Sequence, residues 1–378
     1  MIWLIYRTTE SPFLLGVAAF AAEIPFLIVS PFGGLVADRV DRRRTLMLVQ
    51  FIAAMQSFAL VALITLDAAP YPVLVALGLL LGVCQAIETP VRQSMFPDLV
   101  VDPADIPNAV SLMAFMNNSG RLIGPIIAGL LVASTGERTC FLLCGLSFLI
   151  VIGAISRIRL RPGPAQPSLQ PPILRQLQTG FAYSWTNRAI RNALCMLAVV
   201  SFCGLPYLVV MPVFTSEVLK ADAKTLGFLL SCAGGGGLTG LAMLALRTKI
   251  HKFPRVIALA TCVGTIGLIT CSLAHEFPIA AIGMTLLGYG IVVTATASNI
   301  YLQFQSAADK RGRVLGLFSF VFFGFAPIGN IVAGYISDHF GSQTALGTLG
   351  ITAAAATAIV VFQWRREIAR PVPSRTSH

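Results

Sequence analysis

Long apolar runs alternate with short polar breaks along almost the whole chain. Each run has about 20 or more residues, which is enough for a helix to cross the roughly 30 Å hydrocarbon core of a bilayer. The predicted membrane spans lie near 12–37, 45–66, 72–93, 107–134, 138–158, 191–216, 224–247, 255–274, 277–303, 313–337 and 343–363. The pattern therefore predicts an all-α integral membrane protein with about 11 transmembrane helices.

The composition agrees with this pattern. Of the 378 residues, 56% are apolar and only 11% are charged, and the mean hydropathy is +0.80. A soluble globular protein carries about 25% charged residues, so a water-soluble enzyme is excluded. The sequence contains no Walker motif, catalytic triad or metal-ligand cluster. We therefore expect no enzyme activity, no cofactor and no bound metal.

The net charge of +11 would also suit a nucleic-acid-binding protein. However, 22 of the 27 Lys and Arg residues fall in one alternating set of loops between the predicted spans, and 4 fall in the opposite set. Cytoplasmic loops of membrane proteins carry such an excess of Lys and Arg. The charge pattern predicts a multi-pass protein of the cytoplasmic (inner) membrane with a cytoplasmic C-terminus. The lipid bilayer, not nucleic acid, is then the partner of the basic residues.

A basic, Pro-rich segment divides the chain into two similar halves. We predict a first helical bundle over 1–156, a cytoplasmic linker with an interfacial helix over 157–190, and a second bundle with a cytoplasmic tail over 191–378. A weak internal repeat supports the division, because the sequence GRLIGPIIAG at 120–129 aligns with FAPIGNIVAG at 325–334, an offset of 205 residues. Internal repeats of this kind are typical of secondary transporters.

The N-terminal segment is too short to be a span. Met1 to Tyr6 is apolar and Arg7 interrupts it, and six residues extend only about 9 Å as a helix. We expect this segment to be the tail of a helix whose beginning is absent.

One loop carries a recognisable motif. The residues GGLVADRVDRRR at 33–44 resemble the loop signature of the major facilitator superfamily. The segments ETPVRQSMFPDLV at 88–100, NAVSL at 108–112 and RGRVLGLF at 311–318 resemble the subgroup that includes the enterobactin exporter and related efflux proteins. The resemblance implies a major facilitator fold of two pseudo-symmetric bundles, with most of the first of twelve helices missing.

The same resemblance implies a gating motif at this loop. Its residues are Gly34, Asp38, Arg39, Arg42 and Arg43. Gly34 permits close approach of two helices, and Asp38 needs a cationic or helix-N-terminal partner because it lies at the C-terminal end of its own helix. The partner is Arg39, Arg42 or the helix that begins near Gly312. The alternative is that the arginines only orient the chain in the membrane.

Four ionisable groups inside or near the spans are further candidates for proton or substrate binding. A carboxylate at the depth of Glu23 is costly and suggests a proton-coupling group, or else a structural hydrogen bond to a neighbouring helix. Glu88 and Arg92 form a pair four residues apart, which favours a structural ion pair over a direct transport role. Arg121 lies near mid-membrane and needs a partner, such as Glu23, Glu88 or an anionic substrate.

Polar and small residues surround Arg121 in the sequence. Asn117 precedes it by about a turn and is a further candidate for substrate binding. Gly124, Pro125 and Gly129 follow it and resemble the antiporter signature of the family, which implies a bent helix whose small face meets the other half. In the second half the spans offer neutral polar groups, among them Asn330.

These features predict a secondary active transporter. The leading hypothesis is a proton-coupled exporter of small amphipathic organic compounds, drug-like or siderophore-like, that works by alternating access of the two bundles. The expected partners are a small-molecule substrate and protons, and the expected state is a monomer. The incomplete first helix motivates an alternative, in which the chain is a truncated or assembly-partner membrane protein that does not transport.

Overall fold

The computed structural model describes residues 1–29, 41–95, 105–158, 181–246, 253–307 and 310–369. These residues are helical apart from short connections. The helices are α1 (Ile2–Thr9), α2 (Pro12–Val29), α3 (Arg42–Thr65), α4 (Tyr71–Met95), α5 (Ile106–Arg157), α6 (Arg188–Val199), α7 (Tyr207–Glu217), α8 (Ala223–Ala245), α9 (Phe253–Ser272), α10 (Phe277–Gln305), α11 (Arg311–Phe340) and α12 (Ser342–Ala369). The all-helical fold predicted from the apolar pattern is confirmed.

Nine helices within the described ranges are long and apolar enough to cross a membrane, and Pro12–Ile28 is a shorter apolar helix. The helix α5 has 52 residues and is broken at Gly136, where φ is 81° and ψ is 171°. It therefore contains two of the predicted spans, 107–134 and 138–158. The predicted span at 191–216 corresponds to α6 and α7, which are joined through a π-helical segment at Val200–Gly204.

The breaks after the two repeat segments have the same backbone conformation. Gly136 has φ 81°, and Gly341, 205 residues later, has φ 84° and ψ 157°. Side chains other than glycine rarely adopt positive φ, so glycine permits a sharp reversal between antiparallel helices at both points. The internal repeat seen in the sequence is thus also a repeat of local structure.

The helices form two pseudo-symmetric bundles. In the first, α3 packs on α5 and α2 packs on α4, and in the second, α10 packs on α8 and α9 while α9 packs on α12. The bundles are joined mainly by α2 with α11 and by the first part of α5 with α8, and both α1 and α2 also contact α7. The boundaries 1–156, 157–190 and 191–378 and the interfacial helix of the linker stay predictions, since residues 159–180 lie outside the described residues.

We name the two membrane sides by their charge. The basic face is the side where α2 ends and α3 begins, and the opposite face is the side where α1 ends and α2 begins. The helix α1 is held at the opposite face: Leu4, Ile5 and Tyr6 are buried, and Arg7 forms a 2.9 Å ion pair with Glu137. The apolar N-terminal segment is therefore a packed helix of the first bundle.

Candidate functional site between the two bundles

The two bundles meet along antiparallel helix pairs that are closely packed at glycines. A Cβ atom on Gly334 of α11 would lie 2.7 Å from the carbonyl oxygen of Pro12 and 3.1 Å from the Cα atom of Gly16 in α2. A Cβ atom on Gly129 of α5 would lie 2.8 Å from the carbonyl oxygen of Ala223 and 3.0 Å from Cα of Gly227. Small residues allow membrane helices to approach at this distance.

The two contacts are related by the internal repeat. Gly129 and Gly334 differ by 205 residues, and their partners Gly16 and Gly227 differ by 211. A Cβ atom on Gly16 would lie 2.6 Å from the carbonyl oxygen of Asn330, and a Cβ atom on Gly227 would lie 2.5 Å from the carbonyl oxygen of Pro125. Pro125 and Asn330 are again 205 residues apart. The two contacts between the bundles are therefore equivalent, and in each of them a glycine of one bundle packs on a glycine of the other.

Polar contacts join the bundles at the opposite face. Asp338 Oδ1 of α11 accepts a 2.9 Å hydrogen bond from Ser11 Oγ and a 3.3 Å hydrogen bond from the backbone N–H of Phe13. Tyr6 donates a 3.2 Å hydrogen bond to Glu217 Oε1 at the end of α7. These contacts close the opposite face between the bundles.

Glu23 lies deeper in the α2–α11 contact. Its Oε2 accepts a 3.1 Å hydrogen bond from Nδ2 of Asn330, which is only 2% exposed. Glu23 is eleven residues along α2, or about 16 Å of helix rise, which places it near the middle of a bilayer about 30 Å thick. The Oδ1 atom of Asn330 is buried and has no hydrogen-bond partner within the described ranges. The predicted intramembrane carboxylate therefore lies between the bundles.

Aromatic and aliphatic side chains continue this contact toward the basic face. The rings of Phe26 and Phe323 have centroids 4.2 Å apart, and a Cβ atom on Gly324 would lie 2.7 Å from Cδ1 of Leu27. The Glu23–Asn330 pair is thus flanked by glycine packing on one side and by an aromatic pair on the other. An apolar setting of this kind makes a charge costly and a hydrogen bond valuable.

Other residues predicted from the sequence lie outside the contact between α2 and α11. Glu88 and Arg92 form the expected pair in α4, at 3.6 Å between Oε1 and Nε, with Pro90 inside the helix. Of the gating motif, Arg42 is the first residue of α3, and Arg43 donates a hydrogen bond from Nη2 to the carbonyl oxygen of Ser156 at the end of α5.

Several predicted residues are only partly described. Gly34, Asp38 and Arg39 lie outside the described residues. Asn117 and Arg121 are part of α5, but their side chains also lie outside what is described. Gly124 has no atom of the described residues within 4 Å of a Cβ built on it, whereas Gly129 contacts α8. The predicted role of Arg121 with Glu23 or Glu88 stays a prediction.

Sequence reasoning missed four residues of this contact and underrated a fifth. Gly16, Gly227, Ser11 and Asp338 were not singled out, and Asn330 was noted only as a neutral polar group. Gly16 and Gly227 are 211 residues apart, which departs from the 205-residue offset of the repeat, so the repeat did not single them out. No sequence pattern indicates that Asp338 reaches α2. No group of three or more His, Cys, Asp or Glu side chains within the described part could hold a metal.

The fold as a whole is that of known transporters. The nucleoside transporter NupG matches with a TM-score of 0.71 at 12% identity, over 96% of this chain and 96% of that one. A bacterial homologue of the human lysosomal transporter Spinster, solved in an inward-facing and occupied conformation, matches with a TM-score of 0.75 at 14% identity, over 96% and 91% of the two chains. The chain therefore has the major facilitator fold.

The sequence assigns the family within that class. The chain matches the profile of the transmembrane secretion effector family over residues 1–373, and it belongs to that family. It is 25% identical over 367 residues to the staphyloferrin A transporter of Staphylococcus aureus, covering 95% of this chain and 90% of that protein. It is 24% identical over 369 residues to the multidrug efflux pump Tap of Mycolicibacterium fortuitum, covering 95% and 89%.

The family assignment confirms the resemblance on which the sequence analysis depends. It places the chain among transporters of small molecules and not among enzymes. It favours the transporter hypothesis over a membrane protein without transport activity.

Proposed function

We propose that this protein is a proton-coupled exporter of small amphipathic organic compounds. The names of its relatives, a siderophore transporter and a multidrug efflux pump, support a substrate class of drug-like or siderophore-like molecules. The observation that carries the proposal is the Glu23–Asn330 pair, a carboxylate held between the two bundles by a neutral amide.

A proton on Glu23 changes the number of hydrogen bonds this pair can make. As a carboxylate, Glu23 accepts from Nδ2 of Asn330 and can donate nothing. As a carboxylic acid it also carries an O–H donor, and Oδ1 of Asn330 is an acceptor that the described residues leave without a partner. Protonation therefore adds a hydrogen bond between α2 and α11, and deprotonation removes it.

This difference couples proton binding to alternating access. The protonated pair stabilises the arrangement in which the bundles are closed at the opposite face. Release of the proton weakens the α2–α11 contact and favours opening at that face, with the two bundles 1–156 and 191–378 rocking against each other. Export against a gradient then follows, because a proton enters for each cycle in which substrate leaves.

The proposal also assigns roles to the other residues predicted from the sequence. The basic face is the cytoplasmic side, so that the C-terminus is cytoplasmic. The motif of Gly34, Asp38, Arg39, Arg42 and Arg43 closes that face in the outward-facing state. Arg121 and Asn117 line the substrate path.

Transport by inverted membrane vesicles that contain the full chain tests the coupling. With ethidium as the probe and an acidic lumen, the unaltered protein accumulates the dye, and Glu23→Gln abolishes accumulation. The same variant retains exchange of dye across the vesicle membrane without a pH gradient, because glutamine still hydrogen-bonds to Asn330. Glu276→Gln, which removes an exposed carboxylate at the start of α10, is the matched control and leaves accumulation unchanged.

Unchanged accumulation by Glu23→Gln would remove this residue from proton coupling. Loss of both accumulation and exchange would instead assign Glu23 to substrate binding or to folding.

A further inference from the structure

A cavity of about 740 Å³ lies on the basic face, away from the contact between the bundles. Every described residue that lines it comes from the segment before α6, from α6 or from α12. Its volume falls within the roughly 300–1,000 Å³ that is usual for sites that bind small molecules. The cavity is therefore large enough for a ligand and belongs wholly to the second half of the chain.

Two arginines line this cavity. The helix α6 begins after Asn187, whose side chain accepts hydrogen bonds from the backbone N–H groups of Ala189 and Ile190, and Arg188 and Arg191 lie in its first turn. The N-terminal end of a helix is positive, so cations are disfavoured there. Topology explains why these arginines are on the basic face, but it does not explain why both line one cavity. An anionic ligand would offset the repulsion between the charges of Arg188 and Arg191.

An aromatic side chain fixes one of the arginines. The ring of Trp185 stacks on Phe181 with 5.4 Å between centroids and 19° between planes. The guanidinium carbon of Arg191 lies 5.8 Å from the centroid of the Trp185 ring, and Nη1 donates a 3.5 Å hydrogen bond to the Trp185 carbonyl oxygen. Tryptophan is enriched where a membrane protein meets the headgroup region. Arg191 is thus held beside Trp185, a residue type that favours the headgroup region.

The other wall of the cavity is apolar and faces outward. Ile359 and Phe362 of α12 line it, and they are 59% and 65% exposed. A small inorganic anion would contact the arginines but not this apolar wall. A ligand with an anionic head and apolar chains would contact both the arginines and the wall.

We propose that this cavity binds an anionic glycerophospholipid from the leaflet on the basic face. Its phosphate contacts Arg188 and Arg191, and its acyl chains lie along Ile359 and Phe362. Basic pockets between transmembrane helices are known to hold anionic headgroups. The bound lipid joins the start of α6 to the end of α12. This proposal is independent of the transport mechanism, because none of these residues takes part in the contact between the bundles.

Native mass spectrometry of the purified full chain in a neutral detergent tests the proposal, with phosphatidylglycerol and phosphatidylcholine as probes. We expect phosphatidylglycerol to bind more tightly than phosphatidylcholine. Each of Arg188→Gln and Arg191→Gln lowers phosphatidylglycerol affinity about 5-fold, and the double variant lowers it about 30-fold. Arg157→Gln removes an exposed charge from the end of α5 on the same face and leaves the affinity unchanged.

A second variant keeps both arginines and alters only the wall. Ile359→Trp fills the apolar side of the cavity, and we expect it to lower phosphatidylglycerol binding while the melting temperature stays unchanged. Equal binding of the two lipids, or an equal loss in Arg157→Gln, would overturn the site in favour of general charge attraction. If millimolar inorganic phosphate competes with phosphatidylglycerol, and still does so in Ile359→Trp, the cavity binds a free anion. That result would overturn the proposal of a lipid site.

Discussion

Asp338 of α11 bonds to the first turn of α2 in the other bundle: its Oδ1 atom accepts a 2.9 Å hydrogen bond from Ser11 Oγ and also accepts from the backbone N–H of Phe13. Both α2 and its equivalent in the second bundle, α8, also have a cap of their own: Ser11 Oγ accepts from the backbone N–H of Leu14 at 3.3 Å, and Asp222 accepts from that of Thr225 at 3.1 Å. The contact with Asp338 joins the bundles at the opposite face, whereas the cap of α8 lies within one bundle.

Replacement of Asp338 by alanine should favour opening at the opposite face. Loss of these hydrogen bonds costs about 1 kcal/mol, and because they cross the bundles, the cost falls on the closed state and changes the population ratio about 5-fold. Electron spin labels at the exposed Leu66 and Leu273, near the opposite face of each bundle, should show a larger long-distance fraction.

Asp222→Ala is the matched control for this experiment. It removes a carboxylate that bonds to the start of a helix within one bundle, so stability should fall by about 1 kcal/mol without a change in the distance distribution. The hydrogen bond from the backbone N–H of Thr225 lowers the pKa of Asp222. Its stabilising effect is therefore present at pH values above its unfolded pKa of about 3.9 and is lost as the pH falls through the lower folded value. An equal shift in distances for both variants would contradict the role of Asp338 as a link.

A single methyl group at the glycine contact should separate the bundles. In Gly334→Ala the new Cβ atom meets the Pro12 carbonyl oxygen at 2.7 Å, and backbone atoms cannot move aside as a side chain does. We expect a loss of about 1–3 kcal/mol, seen as a lower melting temperature, together with reduced transport. Gly129→Ala should behave in the same way at the equivalent contact between α5 and α8.

Gly153→Ala provides the comparison. No atom of the described residues lies within 4 Å of a Cβ built on Gly153, so alanine should stabilise α5 by up to about 1 kcal/mol through its helix propensity. If Gly334→Ala were as stable as Gly153→Ala, the close packing would not hold the bundles together.

A second carboxylate opposite Glu23 should make transport depend on pH. In Asn330→Asp two carboxylates lie where an amide now donates at 3.1 Å, and two such groups can both ionise only at high cost. The pair should keep one proton over a wider pH range, so gradient-driven transport should fall most at neutral pH, where the proton must be released. A pH profile of dye accumulation in inverted vesicles measures this effect.

Asn299→Asp is the control for charge alone. Asn299 accepts a 2.6 Å hydrogen bond from Gln303 within α10 and does not face Glu23. A profile equal to that of Asn330→Asp would mean that any new carboxylate in the second bundle has the same effect, which contradicts a specific pair.

Replacing either partner of the ion pair between Arg7 and Glu137 should lower stability, but by unequal amounts. Glu137 has a side chain that is 8% exposed, and Arg7 is 58% exposed, at 2.9 Å. Arg7→Gln leaves a buried carboxylate without its cation and should cost about 3 kcal/mol, whereas Glu137→Gln leaves the arginine in water and should cost less. Melting temperatures of both variants and of the double variant measure the difference. The double variant should be more stable than Arg7→Gln, and equal stability would contradict the pairing.

Much of the fold could be predicted because its causes are local. Apolar runs of spanning length and the division of basic loops each depend on a short stretch of chain. The internal repeat also predicted that Gly129 and Gly334 are equivalent. It did not indicate which residues they contact, since α2 and α8 share little more with each other than Gly16 and Gly227.

The sequence by itself determined that the chain is an all-helical transporter of two bundles and that Glu23 is an unusual charge within it. Only the tertiary structure decided that Glu23 meets Asn330, 307 residues away, and that Asp338 accepts hydrogen bonds from the start of α2. The physical reason is that the hydrophobic pattern sets where a helix begins and ends, whereas its rotation and its register against another helix depend on side-chain packing. In a span that is apolar almost all round, no hydrophobic stripe marks the face that meets the partner helix.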